Sequence, residues 1–325
     1  MHTPSRFLVV VLSGLALLGC AGEAEWTMQG GAPAAPAKAP TSDGSHLSSF
    51  QGLSSGLPAN PRPTAIAHLD GTVYLVVEGQ LFRLVAGGKA WTPVALPLAA
   101  TEKVTSVVRI DLSLYVSTSE GLLRYDWTSE KTVRLTGAPR GGSAMVKKGA
   151  ELLLASTDGL FASRDQGVTF VKRSAAALFS QPIRALAASP GALRMFAAAE
   201  VGGLFYSDDL GATWSSGLVV GEVKALSAAG EFVLVETASG TFRSDNYGNT
   251  FNAATVGGQA LSFGFSGTKA FAGTMTGVRI SDDGGKVWRD SNEGLPASSQ
   301  VSALFVAGPA VIAATATQVF VAELF

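Results

Sequence analysis

A short motif recurs four times between residues 163 and 288 and constrains the fold more than any other feature of the chain. Each copy places Ser, then Asp or Asn, then Gly, then an aromatic residue at the same spacing. The shared positions are Ser163, Asp165, Gly167, Phe170, Ser207, Asp209, Gly211, Trp214, Ser244, Asn246, Gly248, Phe251, Ser281, Asp283, Gly285 and Trp288. A short Asp or Asn side chain bonds backbone N–H groups ahead of it, and Gly supplies a positive φ. Each motif therefore predicts a tight turn whose aromatic residue starts the next strand.

The motifs belong to a longer repeat of about 40 residues. A Gly lies four residues before each motif Ser, an apolar strand precedes that Gly, and a further strand precedes that one. The same pattern without a good motif surrounds Gly79 and Gly121, and a last unit has Gln318 in place of the Gly. Seven units of four short strands predict an all-β chain that folds as a seven-bladed β-propeller with four-stranded blades.

The two ends of the repeat region predict how the ring closes. The seventh unit has only three strands. Residues 50–59 match residues 288–297, because both have an aromatic residue six positions before a Gly and both end in Gly-Leu-Pro-Ala. The segment that starts at Phe50 is therefore expected to be the fourth strand of the last blade, which removes an open sheet edge. The predicted propeller spans residues 48–325.

A membrane-spanning helix is an alternative for the last unit. Residues 294–322 carry no charge, and residues 301–322 are strongly apolar. Against this alternative, the segment contains Gly308 and Pro309 and has no Lys or Arg at either end. Its internal spacing also matches that of the other six units. The repeat is therefore the preferred interpretation.

The N-terminal residues are interpreted as an export signal. Arg6 provides a positive charge, and the apolar run from Phe7 to Leu18 is too short to span a bilayer as a helix. Residues 1–19 are therefore predicted to be a signal peptide. Residues 20–47 are predicted to be a flexible tether, since they are rich in Pro, Ala and Gly and have no period that can pack.

The end of this signal, Leu17-Leu18-Gly19-Cys20, resembles the lipobox of bacterial lipoproteins. That resemblance implies cleavage before Cys20, the one cysteine of the sequence, and acylation of its thiol. The acyl chains would attach the protein to a membrane. Ala21 follows the cysteine, which implies the outer membrane of the bacterial envelope by the Gram-negative sorting rule. The alternative is an ordinary secretory signal in which the cysteine is incidental.

The four motifs resemble the Asp-box, also called the bacterial neuraminidase repeat. Across residues 48–325 the chain resembles non-catalytic Asp-box propellers, such as the photosystem-assembly-factor-like and sortilin-like repeat proteins. The resemblance implies that the motif residues hold the fold and take no part in chemistry. It also implies a binding or scaffold propeller that engages a protein or glycan partner on the face opposite the motifs.

The loops on that opposite face supply the candidate binding residues. If the motifs join the third and fourth strands, the loops between the second and third strands lie on the other face. Five successive blades carry an acidic residue there, namely Glu78, Glu120, Asp158, Glu200 and Glu236. This rim is predicted to bind a cation or a basic partner, or else to consist of ordinary solvated loop residues. Four basic residues near the same face would neutralise part of it: Lys103, Arg140, Arg173 and Arg184.

A sialidase-like glycoside hydrolase is the alternative function. Its chemistry needs an arginine cluster, a Tyr nucleophile and acidic groups. The segment Pro61-Arg62-Pro63 departs from the Arg-Ile-Pro motif of that family, and no Tyr falls on a predicted inner strand, so no catalytic residue is assigned. With 3 His and 1 Cys, the sequence predicts no metal site and no cofactor. A net charge of −1 gives no reason to expect nucleic acid as a partner.

Overall fold

The computed structural model describes residues 47–69, 71–156, 158–173, 183–189, 194–199, 202–219, 221–307 and 310–324. The predicted signal peptide, Cys20 and nearly all of the predicted tether lie outside the described residues, and so does Glu200. Among the residues that are described, no helix has the length and apolar character needed to cross a membrane.

The described residues form 28 strands in seven antiparallel sheets of four, which we number as blades in chain order. The first strand is β1 (Gln51–Gly52). Blade 1 consists of β2 (Pro63–Leu69), β3 (Thr72–Val77), β4 (Gln80–Val85) and β5 (Thr92–Pro93). Blade 2 consists of β6 (Val104–Ile110), β7 (Ser113–Thr118), β8 (Gly121–Asp126) and β9 (Lys131–Leu135). Blade 3 consists of β10 (Gly142–Lys148), β11 (Glu151–Ser156), β12 (Gly159–Ser163) and β13 (Val171–Lys172).

Blade 4 consists of β14 (Ile183–Ala188), β15 (Met195–Ala199), β16 (Leu204–Ser207) and β17 (Ser215–Val219). Blade 5 consists of β18 (Val223–Ala229), β19 (Phe232–Thr237), β20 (Gly240–Ser244) and β21 (Asn252–Ala254). Blade 6 consists of β22 (Ala260–Ser266), β23 (Lys269–Thr274), β24 (Gly277–Ser281) and β25 (Arg289–Asp290). Blade 7 consists of β26 (Ala303–Ala307), β27 (Ala310–Ala314), β28 (Val319–Glu323) and, beside β28, the N-terminal strand β1. The predicted seven-bladed propeller is confirmed, and strands replace the alternative membrane helix.

The second strand of each blade carries much of the apolar sequence. Strands β3 and β11 are buried at every position, because neighbouring blades cover both of their faces. A strand that is covered on both faces has a nearly continuous apolar run. The outer strands β5 and β13 are two residues long and exposed. The hydrophobic core therefore lies between blades, close to the axis.

The inner strands close into a ring around a central channel. Each contacts the inner strand of the next blade, and β26 of blade 7 contacts β2 of blade 1. At the edge of blade 7, Gln51 pairs with Val321 in antiparallel register. A further antiparallel bridge joins Leu47 to Leu324. The N-terminal strand thus closes the last blade, as predicted.

The two Gly-Leu-Pro-Ala segments form the same joint one blade apart. After blade 6, Gly294 packs on the backbone of Phe50, where an added Cβ would lie 2.1 Å from the carbonyl oxygen. After blade 7, Gly56 packs on Trp91 in the same way, again at 2.1 Å. Both glycines have a φ of 85°. Glycine is required at each position both by this backbone conformation and by the lack of space.

Candidate functional site

The four motif segments, which we call the box turns, are closed by their own side chains. In the turn at residues 163–170, Ser163 Oγ donates to Asp165 Oδ1 at 2.8 Å and accepts from the N–H of Gly167 at 2.8 Å. Asp165 also accepts from the N–H of Thr169 at 2.9 Å. Hydrogen bonds from Thr169 and Ser163 lower the pKa of Asp165 to about 2. The turns at 207–214, 244–251 and 281–288 repeat the two serine bonds.

The aromatic residue of each box turn packs between its own blade and the blade before it. Trp214 joins the core between blades 3 and 4 and donates its indole N–H to the carbonyl of Gly211 at 3.1 Å. Trp288 repeats this bond to Gly285 at 2.9 Å, between blades 5 and 6. The two phenylalanines at this position occupy the boundaries between blades 2 and 3 and between blades 4 and 5.

Each box-turn Gly fits against the second strand of the preceding blade. An added Cβ would lie 2.7 Å from Leu153 at Gly211 and 2.5 Å from Phe196 at Gly248. Both glycines have a positive φ, 82° and 75°. Each residue type that the four box turns share therefore has a structural role.

Charged side chains on the box-turn face also join neighbouring blades. Arg243 of blade 5 donates to the carbonyl of Gly284, in the box turn of blade 6, at 2.8 Å. Arg194 pairs with Asp208 at 2.7 Å and donates to Asn249, in the box turn of blade 5, at 2.8 Å. Much of the polar surface of this face is therefore engaged in holding the ring together.

The opposite face carries the predicted acidic rim. Glu78, Glu120 and Asp158 lie in loops between second and third strands and are exposed. Glu120 lies 3.5 Å from Arg140, so one of the predicted basic neighbours does offset the rim. Within the described residues, the carboxylates of Glu78 and Asp158 have no hydrogen bond or ion pair. Glu200 lies outside those residues.

Two residues predicted for this face do not present their charged groups on it. Glu236 belongs to strand β19 and is 2% exposed, because β19 extends to Thr237 and turns the carboxyl group into the blade. The hydroxyl of Thr241 donates to it, and burial raises its pKa. Arg173 pairs with buried Glu151 inside blade 3. The acidic rim of the described chain is therefore confined to blades 1–3.

A ring of bulged residues surrounds the mouth of the channel on this face. The first six inner strands each break register at their second residue. The residues at these breaks are Thr64, Thr105, Ser143, Arg184, Lys224 and Leu261. A bulge leaves its extra residue outside the ladder and re-aims its side chain. Sequence reasoning missed this ring, although in five of the six strands a polar residue at the second position was a visible signal.

The bulged residues divide the mouth into two chemically different halves. Thr64, Thr105 and Ser143 of blades 1–3 are exposed hydroxyl residues, whereas Arg184 and Lys224 of blades 4 and 5 are half-buried cations. Thr105 and Ser143 each donate to the first residue of the next inner strand at 2.8 Å. The mouth thus has a neutral polar half beside the acidic rim and a basic half across from it.

A small cavity lies in the channel, against the inner strands of blades 1–3 and 7. It has a volume of about 30 Å³ and is lined by residues such as Thr64, Ser106, Ser143 and Phe305. This volume is far smaller than the site of a drug-sized ligand. A ligand on this face would therefore lie over the mouth and the rim.

The described residues give no support to the glycoside hydrolase alternative. Hydrolysis needs two carboxyl groups that face each other ~5–10 Å apart. The cavity in the channel has no carboxylate in its lining. Glu236 is buried in blade 5, while Glu78, Glu120 and Asp158 are exposed on blades 1–3. Among the described residues, no group of three His, Cys, Asp or Glu is arranged to hold a metal ion.

One ion pair that sequence reasoning missed stabilises this face. Glu102 precedes β6, and its side chain is 1% exposed. It accepts from Arg134 Nη1 at 2.9 Å and Nη2 at 2.8 Å, and from the hydroxyl of Thr118. These bonds, chiefly those from Arg134, lower the pKa of Glu102 to about 2. The pair connects the entry to blade 2 with its outer strand.

Comparison with solved structures shows that the chain shares its fold with known proteins. No protein-family model and no curated protein sequence matches the chain. The extracellular domain of a putative one-component system from B. thetaiotaomicron is similar in structure, with 16% identity and a TM-score of 0.68. That match covers 84% of this chain and 40% of the other, so this chain spans about two fifths of that relative's length.

Two structures of YCF48 are also similar. YCF48 from Cyanidioschyzon merolae has 15% identity and a TM-score of 0.62, covering 85% of this chain and 98% of its own. YCF48 bound to a D1 peptide has 14% identity and a TM-score of 0.66, covering 85% of this chain and 97% of its own. The chain therefore shares the propeller architecture of these proteins.

Proposed function

We propose that this propeller is a binding platform of the bacterial cell envelope that engages a protein partner on the face opposite the box turns. The observation that carries the proposal is that exposed carboxylates of the acidic rim are unpaired. In the described part of the chain, the carboxylates of Glu78 and Asp158 have no partner, and they lie on the same face as the exposed hydroxyls of the channel mouth. Charged groups of the box-turn face, in contrast, bond to neighbouring blades. Unpaired charge on a rigid surface is available to an incoming partner.

The topology supports this choice of face. A box turn leads from a third strand into a fourth strand, so each fourth strand begins at the box-turn face. Strand β1 is the fourth strand of blade 7, and Leu47 precedes it beside Leu324. A lipid on Cys20 would therefore draw the box-turn face toward the membrane, to which the predicted tether would connect it. The rim and the channel mouth would then point away from the membrane.

The structural neighbours support an extracytoplasmic binding role. One is an extracellular domain of a bacterial protein, and YCF48 is known bound to a D1 peptide. A propeller of this architecture can thus present a surface for a peptide segment. By analogy, we propose a protein as the partner here, and a basic segment fits the rim on blades 1–3 best.

The test compares two triple variants in which acidic residues are replaced by their neutral amides. The first neutralises the rim with Glu78→Gln, Glu120→Gln and Asp158→Asn. The matched control removes three acids from the box-turn face with Glu130→Gln, Asp245→Asn and Asp282→Asn, whose surface ion pairs contribute little stability. Each full chain is crosslinked in intact cells and purified, and the captured proteins are quantified by mass spectrometry.

We expect at least a tenfold loss of one specific partner with the rim variant and normal capture with the control. Equal capture by both variants would contradict the proposed face. If a labelled glycan binds the protein and the rim variant abolishes that binding, the partner is a glycan and not a protein. Hydrolysis of that glycan would favour the enzyme alternative.

A further inference from the structure

A cavity of about 220 Å³ opens on the box-turn face between blades 2 and 3, away from the proposed partner site. Its apolar wall includes Ile110 and Leu152, and its polar wall includes Tyr115, Lys147 and Arg164. The volume is smaller than the ~300–1,000 Å³ that is typical of the site of a drug-sized ligand. The cavity therefore fits one small group.

At two other boundaries, a large side chain at or just before the start of the second strand reaches the next box turn. In blade 5 this residue is Phe232, whose ring covers Gly284 in the next box turn at 2.3 Å from an added Cβ. In blade 4 the equivalent residue is Arg194, which directly precedes β15 and donates to Asn249 of the next box turn. In blade 2 the equivalent residue is Ser113, which is half-buried and has a much shorter side chain. The boundary between blades 2 and 3 thus lacks a large side chain at this position.

The box turn of blade 3 accepts a hydrogen bond from a tyrosine, whereas the box turn of blade 6 accepts the equivalent bond from an arginine. Gln166 occupies the position in its box turn that Gly284 occupies in blade 6, and its carbonyl accepts from Tyr115 Oη at 3.0 Å. The carbonyl of Gly284 accepts from Arg243 instead. Arg124, the counterpart of Arg243, lies beside Tyr115 and counteracts the rise that burial causes in the tyrosine's pKa. A positive charge therefore stands behind the wall of the cavity.

The charges around the cavity favour an anion. Lys147 pairs with Asp111, and both line the cavity. Glu151 is buried between Arg164 and Arg173. Of the residues that line the cavity, Lys147 and Arg164 are cations and Asp111 is the one carboxylate. Arg164 is 76% exposed at its side chain, so its guanidinium can turn toward a ligand at the opening.

Two exposed apolar side chains lie close in sequence to residues that line the cavity. Leu112 is 74% exposed and follows Asp111 on one side, and Val168 is 55% exposed and lies two residues after Gln166 on the other. A ligand that combines a carboxylate with a short aliphatic group would contact both kinds of surface.

We propose that the cavity between blades 2 and 3 binds a carboxylate borne on an aliphatic group of about one residue in size. The C-terminal residue of a peptide and a free short-chain fatty acid share this chemistry. The proposal is independent of the partner on the opposite face, because none of the cavity residues lies on the rim or at the channel mouth.

The test titrates the full chain with N-acetyl-leucine, hexanoate and the neutral N-acetyl-leucinamide by calorimetry. We expect saturable binding of at least one carboxylate and at least tenfold weaker binding of the amide. Preference for N-acetyl-leucine would identify a peptide terminus, and preference for hexanoate a fatty acid. Absence of saturable binding by both carboxylates, or equal binding of the amide, would overturn the proposal.

Two variants locate the binding. Ser113→Phe should fill the cavity as Phe232 fills its own boundary and abolish binding, while Ser216→Phe, at an exposed position of the outer strand β17 in blade 4, should not. The double variant Lys147→Met, Arg164→Met should weaken carboxylate binding at least tenfold. These side chains reach the surface, so this variant keeps the test valid if Ser113→Phe fails to fold. Unchanged affinity in the double variant would contradict the proposed site.

Discussion

Trp91 of blade 1 donates its indole N–H to the carbonyl of Leu53 at 2.8 Å, and Leu53 directly follows the N-terminal strand that completes blade 7. The backbone N–H of Trp91 also donates to Ser55 at 2.8 Å. Phe50 makes the corresponding backbone bond to Glu293 at 2.8 Å, one blade earlier. The closure of the ring therefore repeats the joint that follows blade 6. The two hydrogen bonds from Trp91 are part of this joint.

Replacing Trp91 with Phe should destabilise the propeller by about 1–3 kcal/mol, because the carbonyl of Leu53 loses its donor in a buried place. Trp91 is 2% exposed. The free energy of unfolding in urea measures the effect. Trp26→Phe, in the predicted tether, serves as the matched control and should change nothing. Equal stability of both variants would mean that the closure does not depend on this bond.

Removal of the box-turn aromatic Trp214 should have a larger effect. The ring is 8% exposed and packs between blades 3 and 4. Trp214→Ala should therefore cost about 3–5 kcal/mol through the cavity it leaves. Val287→Ala, at a position that is 67% exposed in another box turn, should stay within about 0.5 kcal/mol. An unchanged melting temperature in Trp214→Ala would exclude a core role for the ring.

Acid should weaken the bond between Glu102 and Arg134. The folded pKa of Glu102 is about 2, below its ordinary value of 4.5, so the ionised carboxylate stabilises the fold above pH 4.5. This contribution is lost as the pH falls from 4.5 toward 2. Glu102→Gln should therefore lose less stability than the wild type between about pH 5 and 3, measured by chemical denaturation. Parallel curves for the two proteins would contradict the role of Glu102.

The predicted lipid anchor rests on Cys20. Cys20→Ser should move the protein from the membrane fraction to the soluble fraction, because the thioether-linked chains can no longer form. Fractionation of cells followed by immunoblotting measures the change, with Ser42→Ala in the predicted tether as the control. Retention of Cys20→Ser in the membrane would contradict the anchor.

The architecture was predictable because the repeat is regular along the backbone. The spacing of the glycines set the number of blades, and the match between residues 50–59 and 288–297 identified the closing strand. That match works because Gly56 and Gly294 meet the same steric and conformational demand. Features that recur along the chain in fixed register are visible in one sequence.

The binding surface was only partly predictable, because it depends on contacts between residues far apart in sequence. Glu102 and Arg134 meet across 32 positions, which no local pattern indicates. Glu236 lies four residues before Gly240 and therefore within β19, whereas the exposed rim acids directly precede their glycines. The bulge ring follows from strand register, and the equivalence of Ser113 to Phe232 becomes evident only when the blades are compared by their strand pairing.

The most direct test of the partner-binding face is site-specific photocrosslinking in intact cells. A photoreactive amino acid replaces Glu78 or Asp158 on the rim, or Val287 in a box turn, and all three positions are exposed. We expect both rim positions to give an adduct with the same protein and position 287 to give none. An adduct from position 287 alone, or equal adducts from all three positions, would contradict the assignment of the partner to the face opposite the box turns.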